Sequence, residues 1–245
     1  MRVAGRTVLV ADGVMQRLTL TFDNGPTPAI TDWVLDVLRD RGVHATFFVI
    51  GSKLQQPGGR ALAERAINEG HWVGNHSMSH KRALGEESDE ARIETEINGA
   101  DALLDGLRHP DRLFRPFGNG GIIDRRILGP DAVNRLKAGG YTVVLWNSIP
   151  HDWDDPDGWV ERAFEQCDPL DHAVPVLHDY DTGALRHLER FLDELERRDV
   201  TIVSEFPDSV IPVRRGVETA AVELITWPVA SEGEDGLHRS VERRR

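Results

Sequence analysis

Two histidines four residues apart, in His76-Ser77-Met78-Ser79-His80, carry the most suggestive chemistry of this 245-residue chain. On a helical turn, imidazoles at i and i+4 share one side and can both reach one cation. With 10 histidines present the spacing alone is a weak signal, and the pair needs further donors. The acidic segment Asp23-Asn24 can supply them. Two imidazoles with an Asp or Asn oxygen suit Zn²⁺ with one position open for water or substrate. Asp23 is then a candidate general base toward a water whose pKa the cation has lowered. Arg115 is suited to orient that carboxylate and keep it ionised, and Asp152 to hold Arg115 in turn. His178, coming from the opposite side, is a natural general acid for a leaving amine.

Such groups work only if the fold gathers them. Seven apolar, β-rich runs punctuate the chain: 18–22, 45–50, 72–75, 113–115, 141–146, 173–177 and 200–203. Between them, Ile30, Trp33, Val34, Val37 and Leu38 form the stripe of an amphipathic helix. Ile93, Ile97, Ala100 and Leu104 do the same behind Ser88, a candidate N-cap. Asp155-Pro156 reads as the cap and first residue of another helix, and Leu185, Leu188, Leu192 and Leu195 mark the last long one. Strands alternating with helices predict parallel βα units that close into an irregular barrel, with an open doubly wound sheet as the competing architecture. In parallel βα folds, loops at the C-terminal ends of strands converge on one face. Asp23, His76, Arg115, Asp152 and His178 all fall at that end of different runs, so the periodicity predicts one shared pocket.

Composition narrows the partners. Forty-one acidic residues against 29 Lys and Arg give a net charge of −12, which disfavours nucleic acid and anionic membranes, since phosphate contacts need clustered cations. Cys167 is the only cysteine, so a cysteine-based zinc cluster and an internal disulfide are excluded; it reads as a small buried residue. No run has the 18 apolar residues of a membrane span. Arg6 and Asp12 interrupt the first residues before a secretory apolar region accumulates, so a cytoplasmic protein is expected. Residues 1–212 are expected to form a single domain. Residues 213–245, with their acidic 231–236 stretch and terminal arginines, are expected to be a partly disordered extension.

Five segments together resemble the polysaccharide deacetylase signature (NodB homology, carbohydrate esterase family 4). They are Thr21-Phe22-Asp23-Asn24-Gly25-Pro26, His76-Ser77-Met78-Ser79-His80, Phe114-Arg115-Pro116-Phe117-Gly118, His151-Asp152-Trp153 and Val174-Pro175-Val176-Leu177-His178. The resemblance spans about residues 17–206, in the family's order and spacing. It implies a distorted (β/α)7 barrel that hydrolyses N-acetyl groups on amino sugars with a divalent metal, Zn foremost with Co or Mn as alternatives. By position it implies Asp23 as base, His178 as acid, and Asn24, His76 and His80 as the metal set. Arg115 and Asp152 would tune Asp23 and His178, Trp153 would wall the pocket, and Val176 and Leu177 would border the acetyl methyl. The oxyanion donor would be the N–H of Phe117 or Gly118. Two departures stand out. Asn24 occupies a position where the family has a liganding Asp, and Arg115-Pro116-Phe117-Gly118-Asn119-Gly120-Gly121 replaces an Arg-Pro-Pro-Tyr-Gly run.

The expected activity is therefore metal-dependent removal of N-acetyl groups from a small, oligomeric or carrier-linked amino sugar. The alternatives are a deformylase or other non-peptide amide hydrolase on the same site, and a catalytically silent carbohydrate-binding protein disabled by Asn24. Trp146 reads as core, Trp153 and Trp159 as sugar-stacking candidates, Gly118–Gly121 as a mobile loop, and Lys53 as solvated.

Overall fold

A computed structural model describes residues 15–85 and 87–225. The expected disordered tail from 226 and its arginines lie outside the described residues, as do residues 1–14. Each apolar run becomes a parallel strand, and two runs split. The first gives β1 (Arg17–Leu18) and β2 (Thr21–Asp23), followed by β3 (Thr46–Val49), β4 (Trp72–Asn75), β5 (Leu113–Phe114) and β6 (Thr142–Val143). The sixth run gives β7 (His172–Ala173) and β8 (Val176–His178), and the seventh β9 (Thr201–Ile202). Pro175 accounts for the second split: it has no N–H to donate, so the ladder breaks there.

The lower halves form a three-stranded sheet, β7-β1-β9, and the upper halves join β8-β2-β3-β4-β5-β6 in parallel. A parallel bridge between Ser148 and Pro175 links the stretch after β6 back to β8, closing the ring. That closure decides for a distorted (β/α)7 barrel over an open sheet. Residues 213–225, part of the expected extension, are built into the fold. β10 (Val213–Arg214) pairs antiparallel with β6 and with β11 (Val217–Glu218), and Val213 and Ile225 are fully buried.

Strand alternation sorts the core into two layers. Phe22, Phe47, Val49 and Leu177 point outward, where they meet the apolar stripes of helices Ile30–Arg41, Trp159–Cys167 and Leu188–Arg197. Truncating a fully buried member such as Phe191 to Ala should cost about 3–5 kcal/mol. The alternate residues Thr21, Asp23, Phe48, Val176 and His178 remain for the barrel's interior. Two helix starts differ from expectation. Asp89, one residue after Ser88, caps the helix at Glu90 by accepting from Ala91 N at 3.0 Å. Asp155 instead closes a turn by accepting from Gly158 N at 3.0 Å, and the helix begins at Trp159. Cys167 is buried, which pushes its thiol up to about 11. Among the described residues no helix is long and apolar enough to cross a membrane.

Candidate active site

The C-terminal ends of the upper strands surround an open cleft of about 580 Å³ bordered by Asp23, Asn24, His76, His80 and His178. Register seats Asp23 on β2 directly beside His178 on β8. Arg115, fully buried in the barrel interior, donates from Nη1 to Asp23 Oδ1 at 2.9 Å and to Thr21 Oγ1 at 2.7 Å. Its Nη2 donates to the carbonyl of Leu145 at 3.1 Å, and its guanidinium lies 4.1 Å from the Phe48 ring centre. These contacts compensate a charge that burial would otherwise penalise. Asp23 Oδ2 is left facing His76 Nε2 at 3.5 Å.

The segment carrying His76 and His80 is a bent loop, not the expected helical turn. Ser77 and His80 adopt φ of 65° and 49°, which breaks helical progression yet brings the two rings to 4.5 Å between centres. Two residues overlooked in the sequence shape it. Asn75 Oδ1 accepts from Ser77 N at 2.8 Å, and Glu96 accepts from Ser79 N at 2.9 Å and from its hydroxyl at 2.5 Å. Glu96 sits on a π-helical turn, Thr95–Gly99, that displaces it from regular helix spacing.

Each donor is prepared to coordinate. His76 donates from Nδ1 to the Arg115 carbonyl at 2.8 Å, so its Nε2 presents a lone pair. Burial lowers His76 to about 3 and His80 to about 2, keeping both imidazoles neutral. Asn24, at φ 73°, directs a buried Oδ1 that has no hydrogen-bond partner. An orphaned amide oxygen beside two neutral imidazoles fits a divalent cation. Among the described residues no three His, Cys, Asp or Glu side chains form a group placed to hold a metal ion.

On the neighbouring strand, Asp152 holds His178 and not Arg115, correcting the residue-based expectation. Asp152 Oδ1 accepts from His178 Nδ1 at 2.7 Å and Oδ2 from its backbone N at 3.0 Å. Burial pushes His178 down, but the hydrogen bond and charge of Asp152, with Asp23 and Asp179 behind, outweigh it and leave its pKa raised.

Residues 12–143 match the family model for polysaccharide deacetylase. The chain belongs to the polysaccharide deacetylase family. The peptidoglycan-N-acetylglucosamine deacetylase of Bacillus cereus is 37% identical over 195 residues, covering 76% of this chain and 85% of that protein. Peptidoglycan-N-acetylglucosamine deacetylase PgdA of Listeria monocytogenes is 29% identical over 193 residues, 77% of this chain, which span only 38% of that longer relative. The structure of peptidoglycan deacetylase PdaC from Bacillus subtilis superimposes with a TM-score of 0.63 at 30% identity, covering 78% of this chain and 89% of that one. Polysaccharide deacetylases are hydrolases of carbon–nitrogen bonds and are generally metal-dependent.

Against this polysaccharide deacetylase frame, Phe117, Gly118, Trp153 and Val176 line the cleft, whereas Leu177 does not. Strand alternation turns Leu177 outward into the helix-facing core, fully buried. Trp159 is also withdrawn: it is fully buried and donates to the Ala184 carbonyl at 2.9 Å. Trp146 is buried in the core as expected and its exposed edge also borders the cleft, as does Tyr180, which carries no signal in the sequence. Lys53 is half-buried rather than solvated, donating to Thr27 Oγ1 at 2.9 Å beside the Tyr180 ring.

Proposed function

We propose that this chain is a divalent-metal-dependent N-deacetylase acting on the N-acetylated amino sugars of a glycan, with Asp23 as base and His178 as acid. The observation that carries the reading is the pairing of Asp23 with His178 across adjacent strands, in one cleft with Asn24, His76 and His80. Asn24, His76 and His80 would hold the cation, which when bound supplies Lewis acidity toward the amide carbonyl and its attacking water. Arg115 occupies Oδ1 of Asp23, so Oδ2 is the oxygen available to take the water's proton. Because both Asp152 oxygens accept from His178, its ring carries hydrogen on Nδ1 and presents Nε2 to the substrate. Protonation of the leaving nitrogen there accompanies cleavage of the C–N bond, giving acetate and the free amine. Phe117 and Gly118 border the position where the oxyanion's backbone donor is needed, and Val176 contributes an apolar surface for the methyl. The relatives' peptidoglycan substrates favour a glycan over a non-sugar amide.

Amine release from N-acetylglucosamine oligosaccharides with added Zn²⁺, Co²⁺ or Mn²⁺ tests the reading. Metal-dependent release of acetate and amine is expected. Absence of release with every metal and sugar length would sink it. One observation, the amide at Asn24, favours a second reading, a silent carbohydrate-binding protein. That reading prevails if only Asn24→Asp binds metal and hydrolyses amides.

A further inference from the structure

The amide oxygen of Asn24 is buried with no hydrogen-bond partner, so no contact of its own aims it. Its aim comes from the turn at residues 24–27, which opens with Asn24 at the left-handed φ of 73°. For a non-glycine residue such a conformation persists only where the surroundings over-determine it. The contacts that do so converge on one residue, Asp179, which follows the acid His178 but does not line the cleft. Its side chain reaches instead to the start of the helix Ile30–Arg41.

Three contacts run from Asp179 to the turn. Its backbone N–H donates to the carbonyl of Asp23 at 3.2 Å, fixing the peptide that enters Asn24. Its carboxyl lies against Gly25, where a Cβ would collide with both oxygens, so glycine alone lets the backbone leaving Asn24 settle there. Its Oδ2 accepts from Thr31 Oγ1 at 2.6 Å, and that hydroxyl accepts from Thr27 N at 2.7 Å, at the far end of the turn. The Thr31 hydroxyl is thus a bridge with a set direction: its one hydrogen goes to Asp179, which leaves its lone pairs for Thr27. On the other flank Ile50 N donates to the Gly25 carbonyl at 3.0 Å, and Lys53 Nζ to Thr27 Oγ1 at 2.9 Å. Asp179 is buried and its Oδ1 has no partner. A carboxyl buried with one side-chain hydrogen bond is a costly way merely to fill space.

We propose that Asp179, through the Thr31 hydroxyl and Gly25, is a positioning residue for the metal donors: it fixes the turn that aims Asn24 Oδ1 at the cation shared with His76 and His80. The inference rests on the metal-dependent reading above and adds a residue that touches neither cation nor sugar. The test measures Zn²⁺ affinity of the full chain by chelator competition, with thermal melting alongside. Thr31→Val deletes the bridge at nearly constant volume and should weaken Zn²⁺ by about tenfold or more. Asp179→Ala should do the same, whereas Thr31→Ser keeps the hydroxyl and should hold most of the original affinity. In an Asn24→Ala background Thr31→Val should weaken Zn²⁺ no further, because the aim of an absent oxygen cannot matter. A lower melting temperature with unchanged Zn²⁺ affinity would leave the bridge a purely structural role and overturn the proposal. A loss that adds in full to that of Asn24→Ala would overturn it too. Should the original chain hold Zn²⁺ too weakly to measure, the two Thr31 changes are read in Asn24→Asp. Affinity there that ignores Thr31→Val, or no binding at all, ends the proposal. Amine release is scored separately: Zn²⁺ bound without hydrolysis of any N-acetylated sugar sinks the deacetylase reading and leaves the positioning role standing.

Discussion

The two walls of the cleft solve opposite problems. On the acid wall, His178 is locked to Asp152 through both ring and backbone, so orientation and proton affinity are set by the protein alone. On the donor wall, Asn24 Oδ1 is buried without a partner and burial holds His76 and His80 neutral, so the protein leaves polar capacity unspent. One wall is complete when the chain has folded; the other keeps a buried oxygen without a partner. Asp23 belongs to both, one oxygen fixed by Arg115 and the other beside His76.

Breaking the shared residue should have the largest effect. Asp23→Asn removes the base and should lower the deacetylation rate by about 10²–10⁴-fold, read from amine release. The same change leaves the Arg115 charge uncompensated in the barrel interior, so chemical denaturation should show a loss of about 3–5 kcal/mol. Next comes the donor wall. Asn24→Asp adds a negative charge where the cation would sit and should tighten Zn²⁺ by about 10–100-fold in a chelator competition. Unchanged affinity would mean that residue 24 is no ligand. The acid wall responds differently. Asp152→Asn removes the charge that holds His178 above the usual imidazole value while its burial persists, so the alkaline limb of the pH–rate profile should move to lower pH. An unmoved limb would assign that limb to another group.

The smallest effect concerns the residue behind the acid. Asp179 is buried, accepts from Thr31 Oγ1 at 2.6 Å, and has its carboxyl pushed by burial from 3.8 up to about 7. A carboxyl whose pKa is raised on folding favours the folded state least once pH exceeds that value. Asp179→Asn should therefore add nothing below pH 3.8 and raise the melting temperature by about 2–4 °C or more once pH exceeds about 7. A gain independent of pH would remove ionisation as its cause.

Strand runs and helix stripes were legible because period-2 and period-3.6 burial is written directly in the apolar residues. The chemical residues were legible as types at strand ends, since only their order along the chain was needed. What could not be read was partnership across the barrel. Asp152 was assigned to Arg115 because nothing in the chain says which strand it will face. The family resemblance sets Leu177 with Val176 at the methyl, although neighbours on a strand point to opposite faces. The His76–His80 spacing imitates a helix, while the real geometry depends on Glu96, 16 residues beyond His80, reaching Ser79 from a π-turn. Residues 213–225 looked like an appendage because β10 and β11 are two residues each, too short to register as periodic.

The splitting of two staves at Thr19-Leu20 and Val174-Pro175 divides labour between the molecule's floors. Asp23, His76, Arg115 and His178 all ride on strands of the larger sheet or directly after them, and none rides on the β7-β1-β9 trio. Thermal reinforcement can therefore be engineered into the ground storey, around Thr19 and His172, without disturbing the workshop above it.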